Sequence, residues 1–224
     1  MATAPSPTVR STGSVGTFIM GFLTTRWVDK AFAVIGLAPF VYSVATNYQY
    51  ARHDLPTALW LVDMLIIFST VAFRKTPVRI TPNPWFWALA FVATYWSFIT
   101  WGLQDQGRAV APNLLINAFA IVGTVIELWG RFSLGRNIGF VPAQRDIVVR
   151  GAYRFMRHPI YSGVFIGFLA EGLAYYSLRN LLITGGAIFW FAIKSLAEES
   201  FLKKDAAYAG YMERVRWRWF PGLI

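Results

Sequence analysis

Six apolar runs alternate with short polar segments along the chain. They cover Ala31 to Tyr48, Leu55 to Phe73, Trp85 to Leu103, Asn113 to Trp129, Pro159 to Leu178 and Leu181 to Ala197. A bilayer core takes about 20 apolar residues of helix, and each run approaches that length. Thr81-Pro82-Asn83-Pro84 before the third run is a helix-start signal. Only Arg179 and Asn180 separate the fifth run from the sixth, which predicts a tight helical hairpin. The period-two alternation of a membrane barrel is absent, so the runs are read as helices. The predicted fold is an all-α, polytopic membrane helical bundle of five or six spans.

Composition supports this pattern. Of 224 residues, 56% are hydrophobic and only 14% charged. That is apolar for a soluble domain. The net charge of +10 does not point to nucleic acid in so apolar a chain. It fits a positive-inside bias of the loops. With the N-terminus inside, the inner segments hold seventeen of the 21 basic residues. The outer turns hold Arg52, Arg108 and Arg179, which places both termini on the cytoplasmic side. There is no cysteine, and His53 and His158 are the two histidines, which argues against a metal centre.

Residues 1–17 read as a disordered tail rich in Ala, Thr, Ser, Pro and Gly, and 18–129 as N-terminal membrane helices. Phe18 to Leu23 is too short for a signal-peptide core and suits a short interfacial helix ending at Arg26-Trp27. The segment from Gly130 to His158 is long for a loop. Ile138, Phe140, Val141, Ile147, Val148, Val149, Tyr153 and Phe155 mark it as ordered, packed on the inner face.

The candidate chemistry lies at its end, in Gly151-Ala152-Tyr153-Arg154-Phe155-Met156-Arg157-His158-Pro159-Ile160-Tyr161-Ser162-Gly163. Pro159 opens a helix whose free N–H groups, with Arg154 and Arg157, suit an anion. Contact with lipid headgroups is the competing reading. Lys194 and Glu198 are four apart on one helix. The hairpin returns them to the depth of His158. Asp63, Glu127 and Glu171 lie inside apolar runs, where ionisable groups are functional candidates. Helix–helix hydrogen bonding is the alternative. If these acids line an acceptor cavity, they favour an amine.

The order Gly151, Tyr153, Arg154, Arg157, His158, Pro159, Tyr161, Gly163, then Glu198, Glu199, Leu202, and finally Tyr208, Tyr211, Val215 and Pro221 resembles the isoprenylcysteine carboxyl methyltransferase and phospholipid methyltransferase superfamily of integral membrane enzymes. The resemblance covers roughly Gly130 to Pro221 and implies a methyltransferase core over 130–224. It implies S-adenosylmethionine as methyl donor, with S-adenosylhomocysteine as product. The donor pocket would sit at the cytoplasmic face, closed by the inner loop and the C-terminal tail. The implied donor contacts are Arg145, Asp146, Ile147, Val148, Tyr153, His158, Pro159, Ile160, Tyr161, Glu198 and Glu199. Glu198, Lys194 and Arg157 are the implied catalytic residues, and Lys194, Asp63, Glu127 and Glu171 the candidates for acceptor contact. Lys194 stands where the isoprenylcysteine enzymes carry an arginine. It keeps the charge but loses the planar fork, which points away from isoprenylcysteine as the acceptor. The implied acceptor is a lipid-like small molecule, carboxylate or amine, arriving from the membrane, with no metal and no nucleic acid involved. A reductase-like or non-catalytic relative and a small transporter using the intramembrane acids remain alternatives.

Overall fold

The computed structural model describes residues 26–47, 55–100 and 103–223. The expected tail over 1–17 and the short helix at Phe18 to Leu23 lie outside these. Seven helices are present among the described residues: α1 (Arg26–Asn47), α2 (Leu55–Ala72), α3 (Pro84–Ile99), α4 (Asn113–Leu134), α5 (Pro159–Ala174), α6 (Leu178–Leu202) and α7 (Ala206–Arg214).

Their starts follow local chemistry. The Asn83 side chain accepts from the Trp85 N–H at 3.0 Å, with Pro84 in the first turn of α3. Pro159 likewise sits in the first turn of α5, whose start has no side-chain cap. Asp205 caps α7 through the N–H groups of Ala207 and Tyr208. Ser177 caps α6 by accepting from Asn180 at 3.0 Å. The connection between α5 and α6 is therefore Tyr175 to Ser177. Arg179 and Asn180 belong to the first turn of α6, not to the turn that the apolar pattern assigns them to. The Ser177 hydroxyl offers a free N–H group a partner one turn earlier, which starts the helix sooner.

α4 and α5 make the most extensive pairing. The crossing is glycine-lined. A Cβ on Gly163 would lie 2.5 Å from the Gly123 carbonyl oxygen, and one on Gly130 would lie 3.0 Å from the Ile160 nitrogen. Small residues let two backbones approach this closely. α3 packs on α6, where the Trp96 indole donates to the Ile183 carbonyl at 2.8 Å. Tyr95 donates to the Gly36 carbonyl at 2.7 Å and ties α3 to α1. Leu37, Phe40, Met64, Ile67, Val71 and Ile138 form one buried cluster between α1, α2 and the loop after α4.

The two ends of the bundle are closed differently. At one end β1 (Arg79–Ile80) pairs antiparallel with β2 (Ala143–Gln144), joining the α2–α3 and α4–α5 connections. The Gly130-to-His158 segment is ordered there, with β2 and two 3-10 turns at Gly135–Asn137 and Gly151–Arg154. At the other end Arg108 and Tyr176 exchange backbone hydrogen bonds, and Asn180 brackets the Asp105 backbone.

Many large apolar side chains face outward, including Leu65, Leu114, Val125, Phe132, Leu182 and Phe189. Such a surface suits lipid. α4 with its 3-10 extension (Asn113–Asn137) and α6 are long and apolar enough to cross a membrane by length and composition, and α3 and α5 are shorter apolar helices.

Candidate functional site

The entrance to α5 is built against the C-terminal tail. Arg157 and His158 donate their backbone N–H groups to the Trp217 and Arg218 carbonyls at 2.9 and 2.8 Å. The Ser162 hydroxyl lies 2.5 Å from the Trp219 carbonyl oxygen. Beneath this ladder, three basic side chains converge on Glu199. Arg157 Nε is 2.7 Å from Oε1, Arg218 Nη2 is 3.0 Å from Oε2, and His158 Nε2 is 3.1 Å from Oε1. A carboxylate only accepts, so His158 Nε2 carries a hydrogen. Arg157 also donates to the Val215 and Arg216 carbonyls. Glu199 and Arg157 thus hold the tail across α5 and α6.

Glu198, its neighbour, faces the other way. The Tyr161 hydroxyl donates to Glu198 Oε1 at 2.7 Å. The Tyr161 ring stacks on His158 with centroids 5.3 Å apart and planes within 5°. Lys194 Nζ lies 5.7 Å from the Tyr161 ring centroid and 5.6 Å from that of Phe191, within cation–π range. Among the described residues its hydrogen-bond partner is the Thr94 hydroxyl of α3, at 3.0 Å. The i,i+4 spacing with Glu198 is therefore not used for a direct pair: Lys194 turns to Thr94 and Glu198 to Tyr161.

The inner loop forms an adjoining wall. Lys75 pairs with Asp146, and Arg145 Nε donates to the Lys75 carbonyl at 2.8 Å. Ile147 and Val148 pack on the cluster of Tyr153, Tyr208, Tyr211 and Val215. Tyr211 donates to the Tyr153 carbonyl at 2.9 Å. Burial pushes the phenols of Tyr153, Tyr208 and Tyr211 well up from their ordinary value. They stay protonated and keep their donor hydrogens.

A third polar group joins α2 to α4. Arg131 reaches Asp63 through Nε at 2.9 Å and Nη2 at 3.2 Å, and also pairs with Glu127. The sequence pattern places Arg131 among inner-loop charges. It sits instead in the last turn of α4, 6% exposed. Two buried carboxylates supply the reason, because a charge in an apolar interior needs a partner. Glu171, nearer the other end, has Gln104 Nε2 at 3.4 Å.

One cavity of about 580 Å³ joins these groups. Arg145, Asp146, Ile147, Val148, Tyr153, Arg157, His158, Ile160, Tyr161, Lys194 and Glu198 line it, as do Asp63, Glu127 and Glu171. Pro159 and Glu199 do not: Pro159 is wholly buried and Glu199 is turned to the tail. Arg157 touches the cavity with its donors already committed, and Arg154 is exposed. The anion site expected from these two arginines at the helix start is therefore not assembled. Among the described residues, no group of three or more His, Cys, Asp or Glu side chains is placed to hold a metal ion.

Sequence reasoning missed Arg131, Thr94 and Arg218. For Arg131 a signal existed: it follows Glu127 by four residues, and Asp63 in mid-helix demanded a cation. For Thr94 and Arg218 none did, since their partners lie 100 and 19 residues away.

Residues 108–208 match the family model described as phospholipid methyltransferase. That family falls within the isoprenylcysteine carboxyl methyltransferase and phospholipid methyltransferase superfamily that the motif order resembles, and the match points to methyl transfer on lipid-type substrates. No curated protein matches the chain.

Proposed function

From the match of residues 108–208 to the phospholipid methyltransferase family model, we propose that this protein is an integral membrane enzyme that methylates a lipophilic acceptor, with S-adenosylmethionine as donor. One observation carries the reading. A single cavity has His158, Tyr161, Glu198 and the Arg145-to-Val148 loop at one end and runs on between apolar helix faces. Its volume lies in the usual range for small-molecule sites. The donor set fits the proposed cofactor. Asp146 and Glu198 offer acceptors for an ammonium group and ribose hydroxyls, and the Tyr153 ring at the cavity wall offers an aromatic surface to adenine.

When bound, S-adenosylmethionine would supply an electrophilic methyl group to the acceptor's lone pair, the electrons of the broken bond remaining on sulfur. The protein's part is positioning and exclusion of water. Arg157 and Glu199 act as positioning residues that pin the tail over the pocket. His158 and Tyr161, stacked together, orient Glu198. Glu198 takes the proton an amine acceptor must release.

An amine is the favoured acceptor. The cavity is lined by six Asp and Glu side chains against four Lys and Arg, in a chain of net charge +10. A lining that inverts the chain's overall sign favours a cation. The bundle crosses the membrane five or six times, with both termini and the pocket on the cytoplasmic side. The helices over 18–129 shape the acceptor side, and 130–224 forms the catalytic core.

Titration of the protein in detergent with S-adenosylmethionine and, separately, NADPH tests the donor. Saturable heat with the first alone is expected. Binding of NADPH alone would favour a reductase and overturn the reading. Radiolabelled methyl transfer into membrane extracts then identifies the acceptor class, with label expected in lipid. Label confined to protein would overturn the lipid acceptor.

A further inference from the structure

The cavity does not stop at the Tyr161–Glu198 cluster. It continues along α5 past Val164 and Gly167 to Glu171 and Tyr175, and along α4 from Arg131 back to Ile116. Tyr161 and Glu171 are about 15 Å apart along the helix axis. Both ends carry charged side chains; the stretch between them carries none, with Thr124 among otherwise apolar lining. Glu198, Lys194 and the Arg131 triad mark the near end. Between the ends the lining includes Ile116, Ala120, Val164, Gly167 and Phe168. A Cβ built on Gly167 meets nothing within 4 Å, so the lumen there is open rather than filled by packing.

At the far end Glu171 and Gln104 both line the cavity, 3.4 Å apart. That contact is long for a hydrogen bond. A carboxylate has room for several donors; among the described residues this part-buried one makes a single long side-chain contact, to the exposed Gln104. An alkyl end arriving here would displace water from it without replacing the lost hydrogen bonds. A hydroxyl or ammonium would satisfy it. The cavity must also take the donor at its near end, which leaves room for one chain rather than two.

We propose that the cavity takes its acceptor lengthwise, and that the acceptor is a single-chain amphiphile with a second hydrogen-bond donor, a hydroxyl or amine, at the far end of its apolar body, read by Glu171 and Gln104. The identification of this molecule as the acceptor rests on the methyl-transfer reading; its placement in the cavity does not.

The test is photolabelling in lipid nanodiscs with dodecylamine carrying a diazirine beside the amine or beside the terminal carbon. The first probe is expected to label the neighbourhood of Tyr161 and Lys194, and the second Phe168 or Ile116. Distal label found only on outward-facing Leu169 and Leu182 would overturn the proposal. In competition against the distal probe, the ω-hydroxy analogue of dodecylamine is expected to outcompete plain dodecylamine by about 2- to 10-fold. Glu171→Leu is expected to erase that advantage, and Glu171→Gln, which keeps the shape and an acceptor, to retain part of it. Equal competition by the two amines on the unmodified protein would sink the distal polar contact. None of these readouts uses the methyl donor. Label at both depths in a protein that binds no donor would refute the methyl-transfer reading and leave the lengthwise site standing.

Discussion

The Tyr161 hydroxyl donates to Glu198 Oε1 at 2.7 Å and so joins the first turn of α5 to the last third of α6. Everything proposed for the donor end is arranged around that bond: His158 stacks on its ring and Lys194 lies over it. Tyr161→Phe keeps the stack and removes the bond. A hydrogen bond to a charged group is worth about 1.5–3 kcal/mol. Turnover is therefore expected to fall roughly 10- to 150-fold, with folding retained. Steady-state methyl transfer beside a thermal melt checks this; unchanged turnover would remove Tyr161 from the site.

Adjacent glutamates should separate cleanly. Glu199→Gln leaves Arg157 and Arg218 short of their carboxylate, and breaking a buried pair costs about 3–5 kcal/mol. A large drop in the melting temperature and faster proteolysis of the tail are expected. Glu198→Gln should melt near the unmodified protein but lose methyl transfer by about 10²-fold or more, the usual worth of a general acid or base. The reverse pattern would exchange their roles.

Arg131→Met strands Asp63 and Glu127 in the interior and is expected to destabilise by about 3–5 kcal/mol. Replacing all three together, as Asp63→Leu, Glu127→Leu and Arg131→Met, should recover most of the loss, because a matched apolar set needs no ion partner. Melting of the single and triple variants in one detergent decides the matter.

The α4–α5 crossing makes a steric prediction. Gly163→Leu drives a side chain into the Gly123 carbonyl, and overpacking of this kind costs about 1–3 kcal/mol or more. Gly167→Ala enters open space and should melt within about 0.5 kcal/mol of the unmodified protein. Equal melting of the two variants would mean that the helices do not meet along Gly163.

The helix starts were readable because their chemistry is local. Asn83, Pro84 and Pro159 act within one turn of the helices they open. The Tyr175-to-Ser177 turn was misplaced by the same rule applied too coarsely: charged Arg179 looked like a break, while the Ser177 cap was the stronger signal. Depth was readable too. A hairpin returning over a known number of residues brings Lys194 and Glu198 level with His158, and the cavity gathers all three.

Facing was not readable. Successive helix residues point about 100° apart, so Glu198 and Glu199 cannot both face one cavity, and no local pattern says which does. Glu199 is claimed by Arg157, 42 residues earlier, and by Arg218, 19 residues later. Only a folded chain brings such groups within reach. Thr94 and Lys194 meet across 100 residues for the same reason.

Periodicity, caps and apolar length therefore established on their own that this chain is mostly helical, with polar residues gathered at the start of α5 and the end of α6. These are short-range properties, decided within a turn or by transfer of each run out of water. Which carboxylate lines the cavity, where Arg131 goes and how far the lumen extends were settled by packing between distant segments. There the cost of an unpaired buried charge selects one arrangement among several that local rules allow equally.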